Sequence, residues 1–181
     1  LSDFADASVS AALDALLGQA ATAGRFLPPD PAHPQAGSGL VVLGLGKLGA
    51  RELNYSSDID VSVFYEPDRL PGTGKVDAPS LAVQITQALA VLLQQRTAEG
   101  YVFRVDLRLR PDPGATPSAV PVDAALEYYE SVGQNWERAA FIKARAAAGD
   151  LPAAQDFLAE MQPFIWRRHL DYAAIADIQA I

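Results

Sequence analysis

Cysteine is missing altogether from the 181 residues, methionine occurs once and histidine twice. The first absence excludes disulfides and thiol chemistry, and it agrees with a reducing, cytoplasmic setting. The two histidines, His33 and His169, sit in unrelated contexts and offer no zinc spacing. No apolar run is long enough to cross a bilayer, and Leu1-Ser2-Asp3-Phe4 lacks the basic region and cleavage site of a secretory leader. Basic residues are also short: 14 Lys and Arg against 22 Asp and Glu leave a net charge of −8. A general nucleic-acid binder needs a basic surface for its phosphate contacts, so that class is disfavoured. The chain does not begin with methionine and stops at Ile181 inside an apolar helical pattern, which reads as a piece of a longer protein.

What is present suffices for one core, because half of the residues are apolar. The spacing predicts a helix over 2–23, capped by Ser2, stopped at Gly24, and carrying the stripe Val9, Leu13, Leu16 and Leu17. A proline-rich linker follows, closing a first segment of 1–38. Residues 39–121 read as a catalytic core. They contain a buried strand at 40–43, a glycine turn, a short helix within 47–54 and a second strand at 59–65. After a loop at 67–79 come a helix over 79–96 and a third strand over 101–110. From 122 to 181 the pattern is helical, with breaks near Gly133, Gly149 and Pro163. The layout is α+β: a small mixed sheet flanked by helices, with a helical C-terminal portion. No internal repeat is visible.

Three features carry chemistry. Asp58 and Asp60 are two apart at the start of a strand, so both carboxylates face one way, a repulsion that a hard cation such as Mg²⁺ relieves. The strand over 101–110 alternates apolar residues with Arg104, Asp106, Arg108 and Arg110, which places a third carboxylate among arginine forks suited to phosphate. Upstream, Gly44-Leu45-Gly46-Lys47-Leu48-Gly49 lets backbone amides approach phosphates at Gly44 and Gly46. The same glycines match a dinucleotide-binding fingerprint, but only about eight residues separate them from the next strand, short of a crossover helix. Ser57 contacts a phosphate or caps a turn, and Lys47 reaches a phosphate or stands in solvent; the spacing leaves both open. Asn135 is placed as a helix cap, with Arg138, Lys143 and Arg145 on one helix and Trp136 and Phe141 in the core. Together these residues suggest nucleotidyl transfer on metal ions.

The blocks Gly44 to Gly49, Arg51-Glu52-Leu53-Asn54-Tyr55-Ser56-Ser57-Asp58-Ile59-Asp60, Arg104 to Pro111, and Trp136-Glu137-Arg138 through Lys143-Ala144-Arg145 resemble the bifunctional glutamine synthetase adenylyltransferase/adenylyl-removing enzymes. The forms of these blocks, and the closing Phe164 to Asp171, are similar to the N-terminal, adenylyl-removing half. The resemblance implies a DNA polymerase β-like nucleotidyltransferase fold with Asp58, Asp60 and Asp106 as Mg²⁺ ligands. Gly44, Gly46, Lys47, Ser57, Arg108 and Arg110 would bind nucleotide and phosphate. It further implies phosphorolysis of an AMP–tyrosine bond on adenylylated glutamine synthetase, giving ADP, with a PII-type regulator for the full-length protein. The forward adenylyltransferase and a non-catalytic dinucleotide-binding module are the alternatives. One departure is local: many members carry a Ser-Gly-Pro-Leu-like segment after the Arg-Pro, where this chain has Asp112-Pro113-Gly114-Ala115. That loop is expected to shape the substrate mouth.

Overall fold

A computed structural model of the chain describes residues 1–70 and 72–166. The first helix, α1 (Ser2–Thr22), ends where Gly24 takes a positive φ of 64° and the Arg25 amide reaches back to the Ala20 carbonyl at 2.9 Å. Ser2 does not cap it: Leu1 holds that position, while Ser2 is buried and its hydroxyl accepts the Leu53 amide at 3.3 Å.

Five strands form one mixed sheet. β1 (Leu40–Gly44) is wholly buried and pairs antiparallel with β2 (Ile59–Tyr65) on one side and β5 (Arg145–Gly149) on the other. The free edge of β2 is shared by two short parallel partners. β3 (Val105–Asp106) pairs at its start and β4 (Ala119–Pro121) at its end. The strand expected over 101–110 therefore shrinks to two ladder residues. Because β4 occupies the same edge further along, the chain must leave β2 after Asp106 and return at Ala119.

Strand alternation divides the core. Ile59, Val61, Val63 and Tyr65 point to one face, where Val9, Leu13 and Leu17 of α1 meet Leu81, Ile85 and Leu89 of α3 (Ala78–Gln94). The α3 N-terminus is capped by Asp77, whose carboxylate accepts the Ser80 amide at 2.8 Å. Phe64 points to the opposite face, into a cluster with Tyr129 of α4 (Val122–Ser131), Phe141 of α5 (Asn135–Phe141) and Phe157 of α6 (Leu151–Glu160). Phe164 of α7 (Gln162–Ile165) completes it. The short α2 (Gly46–Gly49) follows β1 directly.

The segment after 122 is thus not all helical. Arg145-Ala146-Ala147-Ala148-Gly149 has the composition of a helix, but pairing with the buried β1 overrides propensity. Arg138, Lys143 and Arg145 do not share a helix, since α5 ends at Phe141. Gln134, not Asn135, caps α5, in a reciprocal capping box with Glu137. Phe141 is buried as expected, whereas Trp136 is exposed. Arg167 to Asp171, and His169 among them, lie outside the described residues.

Candidate functional site

Asp60 is the second residue of β2 and shares its facing with Phe64, so its carboxylate emerges on the α4/α6 side of the sheet, beyond the end of that core. In the parallel ladder Asp60 stands in register with Asp106 of β3. In-register neighbours on adjacent strands lie about 4.8 Å apart with side chains on the same face. Asp58, one residue before β2, shares that parity. The three aspartates proposed from spacing line one open cleft of about 450 Å³, together with Gly46, Lys47, Ser56, Ser57 and Arg104.

The electrostatics of the three differ. Burial pushes the Asp60 carboxyl above the ordinary carboxylate range, and the neighbouring charges of Asp106 and Asp58 push it further. Among the described residues no side chain or amide donates a hydrogen bond to its carboxylate, whereas its backbone carbonyl accepts the Leu45 amide at 2.9 Å. Asp106 is held below the ordinary range because Arg108 grips it through Nε, Nη2 and its own amide. Asp58 pairs with Arg104 Nε, and both side chains are half-exposed. Arg104 also donates to the Ser56 carbonyl and, at 2.8 Å, to the Tyr101 hydroxyl.

The glycine turn meets these carboxylates from β1. Gly46 has a φ of +52°, and a Cβ built there would collide with Asp60 Oδ2, so a side chain at this position would fill the space beside the carboxylate. Lys47, exposed in α2, faces the cleft and acts electrostatically on Asp60. Gly49 packs against the Lys143 backbone. Arg145 fixes the far end of α2: it donates to the Leu48 carbonyl at 2.9 Å and the Gly49 carbonyl at 3.2 Å while pairing with Asp6 of α1. Neither Arg145 nor Asp6 was legible as a support for this turn; the two are 139 positions apart.

Three other residues expected at the site stand elsewhere. Gly44 ends β1 and is packed under Leu48, outside the cleft walls. Arg110 gives its guanidinium to the carbonyls of Leu107, Pro113, Thr116 and Pro117, pinning the 107–118 excursion. Arg108 grips Asp106 from outside the cleft walls and is largely exposed, while its charge also acts on Asp60. Conversely, Tyr101 orients Arg104, and a parity argument from Asp106 places Arg104 on the carboxylate face.

The donor set fits a hard divalent cation: three carboxylates beside a glycine, one of them accepting no hydrogen bond from the described residues. As the side chains stand, no three metal-ligating groups among the described residues converge on one point. Asp58 and Asp106 are turned toward arginines instead. A more enclosed cavity of about 280 Å³ lies between α4 and α6–α7; Leu126, Tyr129, Met161, Pro163 and Phe164 line it together with Glu130 and Glu160, and among the described residues no Lys or Arg does. The dinucleotide-binding reading fails on topology. That fold needs parallel strands joined by a full helix, whereas β1 and β2 run antiparallel and α2 has four residues.

The model of the glutamate-ammonia ligase adenylyltransferase family matches residues 1–160. The chain belongs to that family. It is 61% identical over 181 residues to the bifunctional glutamine synthetase adenylyltransferase/adenylyl-removing enzyme of Rhizobium meliloti. The proteins of the same name from Mesorhizobium japonicum and Agrobacterium fabrum are 58% and 59% identical. All of this chain is covered in each case, and it spans 18% of the length of those relatives. The small mixed sheet flanked by helices is the nucleotidyltransferase-like fold expected of the family.

Proposed function

We propose that this chain is an adenylyl-removing nucleotidyltransferase unit, acting by Mg²⁺-dependent phosphorolysis on adenylylated glutamine synthetase in the cytoplasm. The single observation that carries the metal chemistry is the register of Asp60 against Asp106 with Asp58 two residues away, in a cleft walled by Gly46 and Lys47. The names of the relatives support the protein substrate, and the Glu52-Leu53-Asn54-Tyr55-Ser56-Ser57-Asp58 form of the block supports the removing direction.

In this reading an oxygen of inorganic phosphate attacks the phosphorus of the AMP group. The bond from phosphorus to the tyrosine oxygen breaks, ADP leaves, and the phenolate takes up a proton. Asp58, Asp60 and Asp106 would hold Mg²⁺, which when bound would polarise the phosphoryl oxygen and offset developing charge. Lys47 and Arg104 face the same cleft and offset charge on the phosphoryl oxygens. Ser57 and the side-chain-free Gly46 line the same cleft, where the phosphate would enter. No general base is required, because phosphate is already anionic. A PII-type regulator is the expected partner of the full-length protein.

The test is to incubate the chain with adenylylated glutamine synthetase, Mg²⁺ and phosphate, and to follow ADP by chromatography. Phosphate-dependent ADP that disappears in Asp60→Ala is the expected result. AMP transfer from ATP onto unmodified glutamine synthetase, with no phosphate-dependent ADP, would assign the forward reaction instead.

A further inference from the structure

We propose that Arg104 is an exchangeable counter-ion: it competes with the divalent cation for Asp58, and once displaced it stays at the cleft mouth as a phosphate-binding fork. The inference rests on the metal-site reading above and adds a role that no carboxylate assignment contains.

Arg104 makes three attachments of different kinds. Its Nε pairs with Asp58 Oδ1, Nη1 donates to the Tyr101 hydroxyl at 2.8 Å, and Nη2 donates to the Ser56 carbonyl at 2.5 Å. Only the first uses a prospective metal ligand. The Asp58 and Arg104 side chains are each 48% exposed, so their pairing is of the weak, solvent-screened kind. A divalent ion brings twice the charge to the same carboxylate at shorter range and displaces it. The Tyr101 and Ser56 attachments survive that exchange, so the guanidinium keeps its position with Nε free. The Tyr101 ring, 6.0 Å from the Arg104 guanidinium carbon, adds a cation–π contact that also leaves the hydrogen-bonding edge open.

Arg108 forms the contrast that singles Arg104 out. It binds Asp106 bidentately and through its own amide, and nothing else among the described residues holds its guanidinium. Once released it would swing into solvent, because its side chain is 81% exposed. Of these two arginines, Arg104 is the one tethered independently of the carboxylate it neutralises.

The sign of the expected effect is unusual for a site arginine. Removing the pair makes the carboxylate easier to occupy, so Arg104→Gln should tighten Mn²⁺ binding about two- to five-fold. The same variant should weaken inorganic phosphate, measured with Mn²⁺ saturating, about tenfold. Tyr101→Phe cuts a tether but leaves the pair, so it should weaken phosphate and leave Mn²⁺ affinity unchanged. Mn²⁺ binding is read by electron paramagnetic resonance on the 181-residue chain, with Asp60→Asn as reference and circular dichroism confirming the fold of each variant. If Mn²⁺ binds wild type and Asp60→Asn alike, or neither, the metal-site reading falls and this proposal with it. If Asp60→Asn loses Mn²⁺ while Arg104→Gln binds it equally or more weakly than wild type, only the exchange is overturned. Arg104→Lys should keep Mn²⁺ affinity near wild type and still bind phosphate weakly, since it preserves charge without the fork.

Discussion

Two aspartates at opposite ends of β1 are treated in opposite ways. Asp150, beside Leu40, is fully buried, and its carboxylate receives the Gly39 amide at 3.1 Å, the Ala153 amide at 3.4 Å and Arg69 Nη2 at 2.7 Å. Asp60, beside Leu45 at the other end, is partly buried; its carboxylate receives no hydrogen bond from the described residues and faces two further carboxylates. Burial costs any carboxylate its hydration. At Asp150 donors offset that cost, and at Asp60 like charge adds to it. The first arrangement is architecture, since it caps α6 and ties β1 to it. The second persists because the surrounding fold enforces it, which supports the proposed metal-site reading.

Substitutions at the two positions should therefore behave as mirror images. The largest effect is on turnover: Asp60→Ala should lower phosphate-dependent ADP release by about 10³-fold or more, as expected when a principal source of transition-state charge stabilisation is lost. Asp60→Asn should also lose turnover while raising the melting temperature without added Mg²⁺, because it removes the like-charge conflict. A lower melting temperature would break the comparison. Next in size, Asp150→Ala should cost about 2–3 kcal/mol in urea unfolding, from a lost cap and orphaned buried donors. The Mn²⁺ affinity of the protein that remains folded should be unchanged. Gly46→Ala sharpens the contrast from the other side. A methyl group at φ +52° and against Asp60 should cost about 1 kcal/mol of stability and weaken Mn²⁺ measurably.

The smallest effect is in pH. A carboxyl whose folded pKa is raised favours the folded state below the unfolded pKa, and that advantage is lost as pH rises through the folded value. Without Mg²⁺, the Asp60→Asn variant should therefore gain on wild type as pH rises through and above the usual carboxylate range. Below that range the two melting temperatures should converge. Asp106, whose pKa is lowered by Arg108, contributes the opposite slope, so the comparison of variant with wild type is needed to isolate Asp60.

The placement of the aspartates was legible where it is written locally. β2 begins and ends where the apolar run does, because its central place in the sheet demands burial on both faces, and the parity of Asp58 and Asp60 follows from that strand. Asp106 was legible through alternation, but the length of its strand was not. Whether 107–110 stays on the sheet depends on β4 competing for the same edge, a fact carried by residues 119–121. Arg110 shows the consequence: by alternation it belongs with Arg108, yet the bend turns it onto four carbonyls of its own loop. β5 was hidden because three consecutive alanines favour a helix until a buried neighbour offers a ladder. Arg145 was likewise misplaced, since its partners lie on α1 and α2.

The shared edge of β2 has a consequence for how such a protein can change over generations. The excursion from 107 to 118 leaves and rejoins one strand, with Asp60 in register with Asp106 before it and Val63 in register with Ala119 after it. Both junctions are clamped by the ladder, and Arg110 gathers the intervening carbonyls like a knot in a purse string. Insertions, deletions or wholesale exchange of residues 112–117 can then be absorbed between fixed posts, since lengthening a surface loop adds little closure entropy. The Asp112-Pro113-Gly114-Ala115 stretch sits inside that replaceable span, so this loop can be rewritten while Asp60 and Asp106 keep their places in the ladder.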